Sequence, residues 1–271
     1  MTQPEPHPLA PTVLAALPEH ILHSIVAHLL AQNHLRALSC VACVSKPLHR
    51  ATRSCWALCS RLSPGVHACT AALGAALPHA HSLATLDVSA GHRWMDDAAA
   101  AVVARVASLQ AVSFEHCALL TAAGLSALCA GRLHNLQELS LRSVGDIGDG
   151  GALVALPALQ RLDLGWCHSV QGGAVAAYGP RLRALSLHGC DLVGDAVCAA
   201  LPNVEELNVA FTHVGDEGLL ALARCSPRLQ RLTVASAVEA GNLWCTGRWT
   251  EAGLAEFRRL RPDVRLVFAS C

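Results

Sequence analysis

The sequence has few charged and few aromatic residues. They make up 15% and 4% of the 271 residues, whereas hydrophobic residues make up 53%. The formal net charge is zero, and the arginines form no cluster of the kind that releases counterions from a phosphate backbone. We therefore predict no nucleic-acid partner and a core packed with Leu, Ala and Val rather than with large rings.

Long apolar runs and targeting signals are also missing. The most apolar stretch, residues 98–112, is interrupted by Arg105 and is shorter than the roughly 18 to 20 residues that cross a bilayer. The first basic residue is Arg36, so no positively charged region precedes an apolar stretch, as a secretory signal requires. We predict a cytoplasmic or nuclear protein without a membrane segment.

Catalytic and metal-binding motifs are absent as well. There is no Gly-rich phosphate loop, no G-x-S-x-G and no H-E-x-x-H. The thirteen cysteines are an odd number in a long chain without a secretory signal, which favours reduced thiols. Cys40 and Cys43 form a lone C-x-x-C without the second pair of a zinc site. We predict no catalytic residue, metal or cofactor; a metal- or thiol-dependent enzyme that uses this pair is the alternative.

Seven segments follow the pattern L-x-x-L-x-L. Successive segments start 26, 27, 23, 23, 22 and 25 residues apart, within the window of about 20 to 29 residues that is typical of leucine-rich repeats. The segments start at Leu83, Leu109, Leu136, Leu159, Leu182, Val204 and Leu229. Residues 262–268 resemble an eighth strand that follows an insertion, residues 235–249. The insertion contains Trp244, which either anchors a partner or covers the end of the array.

The pattern predicts a parallel sheet with short helices behind it. Alternate residues of a strand face opposite sides, so the second and third apolar residues of each segment enter the core. Cys117, Cys167, Cys190 and Thr212 occupy one place after the strands, where a small side chain fits. Between the strands, Asp or Thr can cap the helices, as in Thr121 to Leu125 and Val214 to Leu219. The glycines of residues 145–151 and 172–173 predict loop-like backs in the third and fourth units.

These units resemble the cysteine-containing subfamily of leucine-rich repeats. The resemblance rests on a "D-x-G-L-x-x-L" helix, a proline before the strand at Pro157, Pro180, Pro202 and Pro227, and the cysteine column. It implies an α/β solenoid with parallel strands on the concave face and short helices on the convex face. We assign residues 63–271 to this domain, with seven or eight repeats.

The N-terminal part has a different pattern. Residues 1–13 are rich in proline and predict a flexible tail. In residues 14–62, apolar residues recur every three or four positions and predict a small domain of three helices. The order of Leu17, Pro18, Ile21, Ile25, Val44 and Trp56 resembles the F-box. That resemblance implies docking on the S-phase-kinase-associated adaptor of cullin RING ubiquitin ligases through these residues. The alternative is a helical cap that seals the first repeat.

The residues between the core positions are the candidates for binding a second protein. Period-two alternation places them on the concave face, and their mixed charge favours a protein or peptide over a polyanion. They are Glu115, Glu138, Arg142, Arg161, Asp163, His188, Glu206 and Asn208, with Trp166 and Phe211 just beyond their strands and Trp244 in the insertion.

Together these patterns predict a non-enzymatic substrate receptor of a cullin RING (SCF-type) ligase that binds an unidentified protein substrate. The alternative is a leucine-rich-repeat scaffold or inhibitor that binds one partner, with the N-terminal helices acting only as a cap.

Overall fold

A nine-stranded parallel sheet forms the centre of the molecule. The computed structural model describes residues 17–31, 46–66, 68–236 and 248–270. The strands lie side by side in chain order. They are β1 (Arg61–Leu62), β2 (Thr85–Asp87), β3 (Ala111–Ser113), β4 (Glu138–Ser140), β5 (Arg161–Asp163), β6 (Ala184–Ser186), β7 (Glu206–Asn208), β8 (Arg231–Ala235) and β9 (Arg265–Ala269).

The register of the strands confirms the predicted alignment of the repeats. The second apolar residues of the seven segments pair laterally from strand to strand, and each is at most 3% exposed. The row runs through Leu86, Val112, Leu139, Leu162, Leu185, Leu207 and Leu232, and then reaches Leu266 in β9. Each fully buried leucine contributes about 1.5 to 3 kcal/mol relative to an exposed one. This row is therefore a main source of the stability of the sheet.

Strand β1 was not predicted. Arg61 pairs with Thr85 and Leu62 with Leu86, so the sheet begins one strand before the first recognised segment. The strand has only two residues, and Pro64 follows shortly after it. Proline has no N–H for the ladder, so the pairing ends before a full L-x-x-L-x-L pattern can form.

Short helices return the chain on the other side of the sheet. They are α3 (Thr70–Ala76), α4 (Asp97–Val103), α5 (Ala122–Cys129), α6 (Gly172–Tyr178), α7 (Asp216–Cys225) and α8 (Glu251–Leu260), with 3-10 helices at Gly151–Ala155 and Asp195–Ala200. The prediction of a loop behind the strand of the fourth unit was wrong, because α6 forms there. Its two glycines lie in the first turn, and Val175 and Tyr178 bury the rest of the helix.

Neighbouring helices are joined by a carboxylate. Asp97 accepts hydrogen bonds from the backbone N–H and the hydroxyl of Thr121, at 2.8 and 2.7 Å. Asp216 accepts the same pair from Thr250, both at 2.7 Å. Gly253 lies where a Cβ would collide with the Asp216 carboxylate. The Asp and Gly of the repeat are thus two halves of one contact between successive units.

The predicted capping is confirmed only in part. Thr121 caps α5 by accepting the N–H of Ala123 at 3.2 Å. In the unit that contains α7, however, Gly215 is the N-cap residue, and its N–H donates to Asp195 of the preceding unit at 2.7 Å. Here the aspartates bind forward to the next repeat instead of capping their own helix.

Two of the described helices precede the repeats. The helices α1 (Glu19–Ala31) and α2 (Lys46–Leu58) pack against each other, and α2 also contacts the 3-10 helix Leu77–His79. In α1 the buried side chains are Leu22 and Val26, at 1% and 0% exposure. The middle one of the three helices predicted for residues 14–62 falls outside the described residues. None of the described helices is long and apolar enough to span a membrane.

Candidate partner-binding face

The exposed side of the sheet is a groove of about 690 Å³ that extends from β2 to β8. Its floor contains small side chains and charged ones of both signs. Six predicted residues line it, namely Glu115, Glu138, Arg161, Asp163, Glu206 and Asn208. Arg142 and His188 lie just beyond β4 and β6, at the place that Glu115 takes after β3. The structure therefore brings the predicted strand residues together on one face.

Several of these side chains already have partners within the chain. Arg161 Nε lies 3.4 Å from Glu138 Oε1, and both side chains are more than half exposed, so this pair contributes at most about 1 kcal/mol. Asp163 accepts the N–H of Gly165 at 2.8 Å, and Asn208 accepts that of Ala210 at 3.0 Å. These last two bonds turn the chain at the ends of β5 and β7. They give Asp163 and Asn208 a structural role that does not require a binding partner.

A column of left-handed residues follows strands β3 to β7. Five consecutive units have a positive φ at the fourth residue after the buried row, with values of 54° to 72°. They are His116, Ser143, Trp166, Gly189 and Phe211. Sequence reasoning missed this column, because only one of the five is glycine, the residue that suits this backbone. Trp and Phe at such positions are conformational outliers.

Three rings form a continuous row at this end of the sheet. Trp166 and His188 have ring centroids 5.1 Å apart, and His188 and Phe211 4.9 Å, both edge-to-face. Trp166 is 41% exposed. Its indole lies across Gly189, where a Cβ would stand only 2.6 Å from indole Cε3. We call Trp166, His188 and Phe211 the aromatic edge.

His188 is held in its neutral form. Partial burial lowers its pKa, and the nearby positive charge of Arg142 lowers it further, while Asp163 acts in the opposite direction. A neutral imidazole packs edge-on against two rings without the desolvation cost of a charge. The aromatic edge is therefore uncharged at neutral pH.

The cysteine column is part of the core. Cys117, Cys167 and Cys190 are fully buried, and their thiols donate to backbone carbonyls of preceding units at 3.1 to 3.3 Å. Burial raises the pKa of each thiol to about 12, so the reactive thiolate does not form near neutral pH. Thr212 fills the same place and donates to the carbonyl of Val209 at 2.7 Å. This confirms the structural role that was predicted for these residues.

No metal site is visible in the part of the chain that the structure describes: no three His, Cys, Asp or Glu side chains converge there. Cys40, Cys43, Val44 and Trp244 lie outside the described residues.

The residues that were assigned to the adaptor have different surroundings. Pro18 is exposed, Ile21 is 38% exposed, and Leu17 and Ile25 are half-buried. Trp56 needs a correction, because it is only 3% exposed and belongs to the core. The side chain that was expected to contact the adaptor instead fixes α2 to the molecule.

The comparisons with known proteins agree with this geometry. A family model described as "Leucine Rich repeat" matches residues 200–223, which include β7 and most of α7. The fold is a leucine-rich-repeat solenoid. It is similar to an internalin (inlF) from Listeria monocytogenes, with a TM-score of 0.59, 15% identity and coverage of 88% of this chain and 62% of the internalin.

A second similar structure is the leucine-rich repeat-containing protein LegL7 from Legionella pneumophila. Its TM-score is 0.52 at 12% identity, with coverage of 82% of this chain and 78% of that one. Identities this low show the fold alone, and the chain spans less than two thirds of the internalin's length. No curated protein matches the sequence.

Proposed function

We propose that the chain is a non-catalytic substrate receptor of a cullin RING (SCF-type) ubiquitin ligase. Its N-terminal helices dock on the S-phase-kinase-associated adaptor, and its concave face binds a protein substrate. The observation that carries the proposal is the presence of two separate exposed surfaces, one around Ile21 on α1 and one on the concave sheet with the aromatic edge.

The concave face supports substrate binding. It is a continuous, preformed surface with both signs of charge, and half-exposed Trp166 lies at its border. Aromatic anchors surrounded by polar residues are typical of the parts of protein interfaces that contribute most to affinity. A rigid sheet also loses little conformational entropy on binding.

The exposure of α1 supports docking. The helix has two apolar stripes, of which Leu22 and Val26 fill the core. Ile21 and Ile25 belong to the other stripe, and Ile21 stays 38% exposed. A pure cap would gain stability by burying both stripes. The exposed stripe includes residues that carry the resemblance to the F-box.

Such a receptor acts by proximity. It holds a substrate lysine near a conjugating enzyme and raises the effective concentration of the reacting groups. It needs no catalytic residue of its own, and the thiols of the cysteine column are buried and protonated.

A pulldown of the purified adaptor tests the proposal. We expect the wild type to bind it and the double variant Ile21→Asp, Ile25→Asp to lose at least tenfold in affinity, because two buried charges oppose docking. The matched control is Ala27→Asp, an exposed position on another side of α1, which should bind like the wild type. Circular dichroism checks that all three fold.

The second candidate is a scaffold or inhibitor whose N-terminal helices act only as a cap. It is favoured by one observation: Leu48 and Trp56 of α2 are in the same continuous core as Leu83 of the first predicted repeat. Failure of the folded wild type to bind the adaptor would replace the ligase proposal with this one.

A further inference from the structure

The aromatic edge has an indole that is open to a ligand. Trp166 is 41% exposed. It has edge contacts with His188 and, at 6.1 Å between centroids, with His168. In the described part of the chain, the cation–π contact is between Arg258 and Phe268, at 5.8 Å, far along the sheet from Trp166. No described arginine therefore covers the indole face.

The loops that follow strands β4 to β7, one of which contains Trp166, are acidic. The segments 142–149, 165–171, 188–195 and 210–216, which follow β4 to β7, contain five aspartates and one arginine. His168 Nδ1 donates to Asp191 Oδ1 at 2.9 Å. His168 also has an edge contact with Trp166, so its imidazole links the Asp191 carboxylate to the indole. The four loops together give this end of a neutral protein a negative potential.

Two of these aspartates, Asp146 and Asp191, have a lowered pKa. Partial burial raises the pKa of Asp191, but the hydrogen bond and the charge of His168, together with the charge of His213, hold the pKa below its ordinary value. The N–H of Gly148 lowers the pKa of Asp146.

The positive charge of Arg142, the arginine in these loops, is partly offset by a carboxylate. Its side chain lies over Gly165, where an added Cβ would stand 3.4 Å from Arg142 Nη1 and 3.0 Å from Asp163 Oδ1. The Asp163 carboxylate therefore lies beside the Arg142 guanidinium, and its negative charge reduces the repulsion between Arg142 and a bound cation.

We propose that Trp166 and Asp191 bind a lysine or arginine side chain of the protein partner. The cation lies over the exposed face of the indole, and the Asp191 carboxylate stands at its border. Tryptophan is the best aromatic receptor for a cation, and a nearby carboxylate adds a direct Coulomb attraction. The inference rests on the proposed function for the presence of a protein partner, and it adds the chemistry by which that partner is recognised.

The test is a titration of the full chain followed by nuclear magnetic resonance of the indole N–H groups. The sequence has five tryptophans, and a Trp166→Leu variant identifies the signal of Trp166. The probes are the Nα-acetyl methylamides of arginine, lysine, norleucine and glutamate. Norleucine matches the length of lysine without its charge.

We expect arginine and lysine to shift the Trp166 signal in a saturable way, with the other indoles unchanged. Asp191→Asn should weaken binding about two- to fivefold, and Glu217→Gln, the same charge change on exposed α7, should not. An equal response to norleucine would show an apolar anchor, and a stronger response to glutamate would show an anion site. Either result, or no saturable shift, would overturn the proposal. The adaptor proposal depends on residues of α1 and not on Trp166 or Asp191, so a failure of adaptor binding can be told apart from a failure of cation binding.

Discussion

Two large rings of the aromatic edge stand on a backbone that suits glycine. Trp166 and Phe211 have φ of 63° and 57°, whereas the equivalent Gly189 adopts 72° without strain. A left-handed residue with a side chain costs about 1 to 2 kcal/mol. The fold tolerates this cost although the rings of Trp166 and Phe211 contribute little to the core. This indicates that the two rings have a role at the surface.

Replacing Trp166 with glycine tests this reasoning. We expect Trp166→Gly to change the free energy of unfolding by less than about 1 kcal/mol, because relief of the left-handed backbone offsets the lost ring contacts. Leu164→Ala, at a fully buried position, should cost about 2 to 5 kcal/mol. Urea unfolding followed by circular dichroism measures both. A loss for Trp166→Gly as large as that for Leu164→Ala would show that the indole is a core residue.

His188 should make stability depend on pH. Its pKa is lowered by burial and by Arg142, so the unfolded chain binds a proton more readily than the folded one. The stability that neutral His188 contributes is fully present above the ordinary histidine pKa of about 6.5. It is lost as the pH falls through the lower pKa that His188 has in the folded chain.

The comparison with His188→Gln isolates this contribution. Between pH 7.5 and 5.0 the melting temperature of the wild type should fall more than that of the variant. Parallel curves for the two proteins would contradict the burial of a neutral imidazole at the aromatic edge.

At the scale of the element, the contact between successive helices determines the repeat. Asp97 fits beside Gly124 because glycine lacks a Cβ, which would collide with that carboxylate. Gly74 in α3 has an open environment instead, with no atom within 4 Å of an added Cβ. The same substitution should therefore have opposite effects in the two helices.

A double-mutant cycle measures this contact. Gly124→Ala should destabilise by about 1 to 3 kcal/mol through overpacking, and less in an Asp97→Ala background, where the carboxylate is gone. Gly74→Ala should be neutral or stabilise by up to about 1 kcal/mol. Thermal unfolding of the wild type and the four variants measures these effects. Additive effects of Gly124→Ala and Asp97→Ala would show that the two residues are not coupled.

The elements differ in how far the sequence predicts them. The strands and the cysteine column follow from a repeat of 22 to 27 residues combined with period-two alternation, and these predictions are confirmed. In α1 the sequence is ambiguous, because Ile21 and Leu22 are equally apolar and either stripe can face the core. Contact with α2 decides in favour of Leu22.

The candidate binding face likewise has a part that the sequence predicts and a part that it does not. Its strand residues follow from alternation alone, so their common face was predictable. The row of Trp166, His188 and Phe211 depends on the left-handed turn after each strand and on Gly189, which makes room for the indole. That turn has no signature in the sequence when Trp and Phe take the place of glycine.

At the scale of the whole molecule, one continuous core joins α1 and α2 to the repeats. The proposed function gives this rigid body two separate surfaces, the exposed stripe of α1 for the adaptor and the concave face for the substrate. Binding at one surface should then leave the other open.

Hydrogen–deuterium exchange of the chain with and without the purified adaptor tests this claim most directly. The account predicts slower exchange in Glu19–Ala31 on complex formation and unchanged exchange in strands β4 to β7 and at the aromatic edge. Protection of the concave strands, or no protection anywhere, would contradict it.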